Sequence, residues 1–317
     1  MVINVIYSME IGRDDGDRAN WIMLKIFNVL FRYDVQYTDK YGYFFSPEYP
    51  LSLEPRYGYG KAANPYFKAM LDRARAAIDA FYQHSLGLEP IVSEILRYDG
   101  SDPTLPYWRN AFFSGLDALA LMTMIKTCAP KRYIEVGSGN STKFVRYAAS
   151  IFDTHTHILS IDPKPRAEID KLCNEIIRKG AEDVDPAVYD QLAPGDILFI
   201  DNSHRVLQNS DATVFFLEVL PRIKPGVIIH LHDIFLPYDY PPRWKRRLYS
   251  EQYALGAYLL GADDRIQVLA ANAEIAEDAT RSLPFQSMWA RLRLQRWQQD
   301  RYKHGHPDGS FWFTKRK

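Results

Sequence analysis

The stretch Tyr133-Ile134-Glu135-Val136-Gly137-Ser138-Gly139-Asn140-Ser141 decides how this chain is read. It begins as a buried β-strand with an acid near its end, then turns at two glycines and opens a helix over Thr142 to Ser150. Glycine lets a backbone pass close to a ligand without a Cβ in the way. The helix that follows directs its free N–H groups back at the same spot. A glutamate heading such a turn repels pyrophosphate, so the turn suits a ligand carrying positive charge and hydroxyls.

Working outward, strands and helices alternate. A helix from Leu116 to Lys126 leads into the strand Arg132–Val136. The strand His157–Ile161 precedes a helix Ala167–Cys173 and a short strand Glu175–Arg178. A helix Pro186–Leu192 leads to the strand Asp196–Ile200, and a helix Thr213–Ile223 to the strand Val227–Leu231. This rhythm predicts an α/β fold: a Rossmann-like, doubly wound, mostly parallel sheet with right-handed crossovers. The tail departs from it, with a helix Trp244–Leu260, a strand Ile266–Ala270, a mostly helical stretch Leu283–Gln299 and a last strand Ser310–Thr314.

Residues 1–105 differ in texture and read as a helical and irregular extension on a main domain spanning 106–317. They hold a helical stretch Ala19–Arg32, a Tyr-, Pro- and Gly-rich segment from Tyr37 to Tyr66, and an amphipathic helix from Pro65 to about Leu86. Its apolar positions are Phe67, Met70, Leu71, Ala74 and Ile78. The aromatics of the middle segment either line a substrate pocket or pack irregular chain onto the main domain, and packing is their commoner use.

Lys plus Arg equals Asp plus Glu at 39 each in 317 residues, which argues against nucleic acid or an anionic membrane as partner and for a small-molecule substrate. Cys128 and Cys173 form no C-x-x-C and read as reduced core thiols. The start, Met1-Val-Ile-Asn-Val-Ile-Tyr7, is too short for a signal segment, and no run approaches the ~18 apolar residues of a membrane span. A soluble, cytoplasmic protein is expected, with homo-oligomer formation left open.

The glycine turn resembles the first motif of the class I S-adenosylmethionine (SAM) dependent methyltransferases, acid-x-Gly-x-Gly-x-Gly, with Ser141 in place of the third glycine. Two further motifs are more specific: Asp201-Asn202-Ser203-His204 after the fourth strand and His232-Asp233-Ile234-Phe235-Leu236-Pro237 after the fifth. They look like a bacterial small-molecule subfamily with Asp-x-Ser-His and His-Asp-Ile-Phe-x-Pro, and the resemblance runs from Trp108 to Trp244. It implies a seven-stranded sheet whose last strand inserts antiparallel, and SAM as cofactor. The residues it assigns to SAM are Glu135, Gly137, Ser138, Gly139, Asn140 and Ser141 at the turn and Asp162 on the ribose hydroxyls. It also puts Glu182 beside the adenine and Asp201 close to the sulfonium. The plainer reading of Asp162 is a cap for the helix after Pro163. A NAD-binding unit shares the spacing of turn and acid, but Glu135 and the late pair of strands favour SAM.

In a doubly wound sheet the ligand sits at the carboxyl ends of the strands. Four apolar residues fix Asp201 at that edge, and His230 and His232 share one strand face with Asp233 at the tip. Methyl transfer to a hydroxyl needs alignment and a proton acceptor, for which His204 is the first choice and His232 the second. Alternatively Asp201, His232 and Asp233 hold Mg²⁺ or another hard divalent cation. Metal-dependent O-methyltransferases and cephalosporin-hydroxylase-like relatives carry carboxylates at these strand ends, usually two after the fifth strand, where this chain has His232 for one. The expected function is methylation of a small molecule, at a hydroxyl oxygen. The competing readings are a metal-dependent hydroxylase or hydrolase-like enzyme, and a non-catalytic SAM- or nucleoside-binding module.

Overall fold

The structure is a computed structural model that describes residues 52–165 and 167–316, together with the short antiparallel pair Tyr37–Thr38 and Phe44–Phe45. The expected helix Ala19–Arg32 lies outside the described residues. The chain divides into two compact units, Met1–Glu54 with Pro242–Leu248, and Pro55–Pro241 with Tyr249–Lys317. The second unit carries the sheet and begins at Pro55, 51 residues before the start expected at 106. The reason is the helix α1 (Pro65–Leu86), which buries Met70, Leu71, Ile78 and Tyr82 in the main core. Asn64 caps α1 by accepting from the Tyr66 N–H, with Pro65 preset at the first helical position. A short helix the sequence did not predict, α2 (Glu89–Ile95), follows.

Seven strands form one sheet: β1 (Arg132–Val136), β2 (His157–Ile161), β3 (Glu175–Ile177), β4 (Ile197–Ile200), β5 (Ile228–Leu231), β6 (Ile266–Ala271) and β7 (Phe311–Lys315). Their order is β3-β2-β1-β4-β5-β7-β6; the first five run parallel, and β7 is antiparallel to both its neighbours. The mostly parallel sheet and the reversed last strand are therefore as predicted. Every residue of β4 and β5 is buried, as the near-continuous apolar runs of a covered parallel sheet require. Full burial of each such side chain contributes about 1.5–3 kcal/mol, which pins the strand ends.

Two helices flank the turn: α3 (Leu116–Cys128), buried throughout from Leu116 to Ile125, and α4 (Asn140–Ile151). Several predicted helices are shorter. Ala167–Cys173 is a single 3₁₀ turn at Asp170–Leu172, and Pro186–Leu192 is 3₁₀ from Pro186 to Gln191. The stretch Trp244–Leu260 divides into a 3₁₀ segment Pro242–Arg247 and the helix α5 (Glu251–Ala262), because Leu248 takes a left-handed φ of 52°. Beyond β6 come α6 (Asn272–Glu277), α7 (Leu283–Arg291) and α8 (Gln295–Lys303). The last two replace one long helix because Arg293 has a φ of 58°. Among the described residues no helix is long and apolar enough to cross a membrane.

The register aligns Val136 with Ile161 and Ile200, and Ile200 with Leu231. Leu231 in turn pairs with Phe311 at the start of β7. One edge of the sheet thus gathers the glycine turn, Asp162, Asp201–His204, His232–Asp233 and the residues leading into β7.

A candidate active site

The turn is held by its own short-range contacts. Glu135 points inward and is fully buried; Ser141 Oγ donates to one of its oxygens at 2.5 Å, Tyr133 Oη to the same one at 3.3 Å, and Thr142 Oγ1 to the other. Burial pushes its carboxyl up to about 7, against the pull of these hydroxyls. Thr142 Oγ1 also accepts from the Gly139 N–H, so Glu135 shapes the turn through Thr142. The carboxylate expected beside a cationic ligand thus spends both oxygens on hydroxyls of the turn, Ser141 among them. Gly137 has a φ of 78°, and a Cβ there would lie 1.9 Å from the Asp201 carbonyl oxygen. The glycine is required because the next strand's backbone passes there. A Cβ at Gly139 would meet nothing within 4 Å, so the second half of the turn faces open space.

Asp162 is half-buried and accepts the Ser138 N–H on one oxygen and the Lys164 N–H on the other, each at 2.7 Å. No helix starts after Pro163, so the capping reading reduces to this local turn. Each carboxylate oxygen keeps a further lone pair, enough for two hydroxyls. Ser138 Oγ pairs with Ser160 Oγ at 2.7 Å, and Asn140 Nδ2 donates to Asn110 Oδ1 at 3.3 Å. Glu182 is exposed on a 3₁₀ turn after β3 and folds back over Gly180; no contact brings it to Asp162.

The second half of the edge is ionic. His204 Nε2 lies 3.2 Å from Asp201 Oδ1 and 3.4 Å from Asp233 Oδ2. His232 Nδ1 lies 3.4 Å from the same Asp201 oxygen and 3.6 Å from Asp233 Oδ1. Each imidazole is anchored from behind: His204 Nδ1 by Glu251 at 2.9 Å, and His232 Nε2 by Asp117 at 3.4 Å. Burial alone would lower both histidines, but the surrounding acids raise them well above the ordinary value. Burial likewise opposes ionisation of Asp201, yet the two imidazoles hold it below the usual carboxylate range. His230 is a core residue, driven well below its usual value by burial, with Nε2 on Ser310 Oγ at 2.8 Å and its ring stacked on Trp312.

The loop is locked to present these groups. Asn202 Oδ1 accepts the His204 N–H, and Asp211 accepts the N–H and hydroxyl of Ser203. His204 and Asp233 both sit at left-handed φ, 60° and 58°. Such a backbone costs non-glycine residues about 1–2 kcal/mol, and strain of this kind gathers at functional sites. Asp201, His204 and Asp233 offer ligand atoms within 4.8 Å of one another, two carboxylates and an imidazole that suit a hard divalent cation. In that group His204 takes the place expected for His232, whose Nδ1 faces the same two acids at 3.4 and 3.6 Å.

Sequence reasoning missed Asp117 and Glu251. Both are fully buried, and Asp117 is the lone carboxylate of the apolar run Leu116-Asp-Ala-Leu-Ala-Leu-Met122. A single acid inside an otherwise buried helix was the available signal. Behind Asp117, Arg301 lies at 3.6 Å and itself bonds Asp308 at 2.7 Å. Asn272 Nδ2 and the Gly309 N–H complete the shell around Asp117.

Residues 134–234 match the model of a family described as a methyltransferase domain, a span containing the turn, Asp162, Glu182, Asp201, His204, His232 and Asp233. Similar solved structures include an SAH-bound (S-adenosylhomocysteine-bound) methyltransferase of Podospora anserina, at 17% identity over 71% of this chain and 94% of that one, TM-score 0.35. The plantazolicin methyltransferase BamL, in complex with a triazolic desmethylPZN analog and SAH, is 15% identical over 79% of this chain and 89% of that one, TM-score 0.36. MycE from the mycinamycin biosynthetic pathway, in complex with Mg, SAH and mycinamycin VI, is 20% identical over 42% of this chain, TM-score 0.29. This chain spans only 38% of the MycE chain. Among curated proteins none matches.

Proposed function

We propose that this protein is a SAM-dependent methyltransferase that acts in the cytoplasm on a hydroxyl oxygen of a small molecule. One observation carries the reading: the open glycine turn backs directly onto Asp201, whose carbonyl fills the space a Gly137 Cβ would need. A nucleoside-type cradle and an acid–imidazole cluster therefore share one edge of the sheet. SAM, when bound, supplies a methyl group on a sulfonium, so the carbon–sulfur bond breaks as the acceptor oxygen takes the methyl.

The chain's own residues do the rest. Asp162 accepts the two ribose hydroxyls while tethering the turn through Ser138. Asp201 complements positive charge beside the turn. His204 takes the acceptor's proton on Nε2 in its neutral form, which the surrounding acids confine to pH above its raised value, while Glu251 behind Nδ1 orients the ring. Asp201, Asp233 and an imidazole are the groups that would hold a divalent cation, which lowers the pKa of an acceptor hydroxyl. A module that only binds nucleosides has no use for two strained residues and four acids, two of them fully buried, around two imidazoles.

The test is transfer from methyl-labelled SAM to a set of hydroxylated small molecules, with and without Mg²⁺. Label is expected in at least one acceptor. His204→Ala should lose ~10²-fold or more of that turnover at unchanged SAH affinity. Undiminished transfer in the variant would move the base role to His232. No transfer to any hydroxylated acceptor by a protein that binds SAH would overturn the assignment.

A further inference from the structure

A cavity of about 300 Å³ opens among α7, α8 and the start of α3, lined by none of the residues that build the turn or the acid–imidazole cluster. Leu116, Phe285 and Trp289 give it an apolar wall. Gln286, Gln295, Gln298 and Gln299 line it as well. Among the described lining residues there is no Lys, Arg or His, so a phosphate or carboxylate would find no counter-charge. Its one acid, Asp308, is already neutralised: Arg301 Nη1 donates to one oxygen at 2.7 Å, the Leu116 N–H to the same oxygen at 3.1 Å, and Tyr302 Oη to the other. A cation has nothing left to claim. The ligand that fits is neutral.

Gln298 narrows the choice. It is only 8% exposed, its Oε1 accepts from Arg301 Nη1 at 3.3 Å, and its Nε2 has no hydrogen-bond partner in the protein. Leaving such a donor unmet costs about 1–3 kcal/mol, and turning this buried amide toward a ligand oxygen in the cavity removes the cost. Amides both donate and accept, which matches hydroxyl groups that do the same. A lining that mixes apolar side chains with four glutamines fits a ring that offers both C–H groups and hydroxyls. At roughly 30 Å³ per water-sized group, the space holds about ten such groups.

We propose that this cavity binds a neutral polyhydroxylated ring the size of one sugar residue. The site is wired to the active-site edge, since Asp308 holds Arg301, Arg301 approaches Asp117 and Asp117 anchors His232. It does not rest on methyl transfer, because every feature that recognises the ring belongs to the cavity itself.

The experiment titrates methyl glucoside, methyl mannoside and methyl rhamnoside into the full chain, following tryptophan fluorescence and ligand-observed NMR, with phenol as a ring of similar width lacking the hydroxylated rim. Saturable binding of at least one glycoside is expected. Gln298→Leu should weaken it about tenfold or more, equal to ~1.4 kcal/mol. Gln299→Ala, at an exposed position that leaves folding intact, should weaken it about threefold. SAH affinity should be unchanged in Gln299→Ala, which separates this site from the cofactor reading. Absence of binding by all three glycosides would overturn the proposal. So would phenol binding as tightly as the best glycoside and unaffected by both substitutions.

Discussion

The two halves of the candidate site are built by different physics. The glycine turn is held by hydroxyls and backbone groups close in sequence: Glu135 takes Ser141 and Thr142, six and seven residues on, and its partner strand supplies Asp162. The acid–imidazole half is held by buried charges drawn from far along the chain. Glu251 reaches His204 across 47 residues, and Asn272 and Gly309 reach Asp117 across 155 and 192. A local, neutral device shapes the turn, and a remote, ionic one orients the imidazoles. The contrast teaches where each half is vulnerable.

The ionic half should break first. Asp117→Ala leaves Arg301 and His232 facing each other in a buried site without their shared acid, and removing one partner of a buried charge cluster costs about 3–5 kcal/mol. Urea unfolding should report that loss. A cost below about 1 kcal/mol, the value of a surface ion pair, would erase the distinction between the halves.

The turn should respond with the opposite sign. Glu135 has a carboxyl raised to about 7 from an ordinary 4.5, so the folded state keeps a proton that the unfolded state releases. Its contribution is fully present below about pH 4.5 and is lost as pH rises to about 7. At ~1.4 kcal/mol per unit, the loss approaches about 3 kcal/mol. Glu135→Gln should therefore equal the parent near pH 4.5 and become the more stable protein by up to that amount above pH 7. Parallel stability curves for parent and variant would show that Glu135 is not a strained acid.

A smaller effect is expected for cation binding. Mn²⁺, followed by electron paramagnetic resonance, should bind the parent and bind Asp201→Asn about 10- to 100-fold more weakly, since a ligand carboxylate has lost its charge. Equal affinity in the two proteins would place the cation elsewhere.

The same contrast explains what the sequence could reveal. The strand–turn–helix unit, its acid at Asp162 and the alternating rhythm are local patterns, so the parallel sheet and the reversed last strand were readable. Asp201, His204, His232 and Asp233 were readable too, because each follows an apolar strand that fixes it at one edge. Asp117, Glu251 and Arg301 were not, because nothing near them in sequence tells which distant charge they meet. The partners of Glu135 were hidden for a related reason: its motif gives its position, but not that Ser141 and Thr142 would hold its two oxygens. Helix lengths failed where a single left-handed residue, Leu248 or Arg293, ends a helix whose apolar pattern continues.

Isothermal titration with SAH and with NAD decides whether the two halves form one SAM site. One SAH per chain is expected, with no comparable NAD binding and a loss of about 30- to 150-fold for Asp162→Ala, equal to ~2–3 kcal/mol for the lost charged acceptor of two hydroxyls. Tight NAD binding without SAH binding, or an Asp162→Ala variant that binds SAH as the parent does, would contradict it.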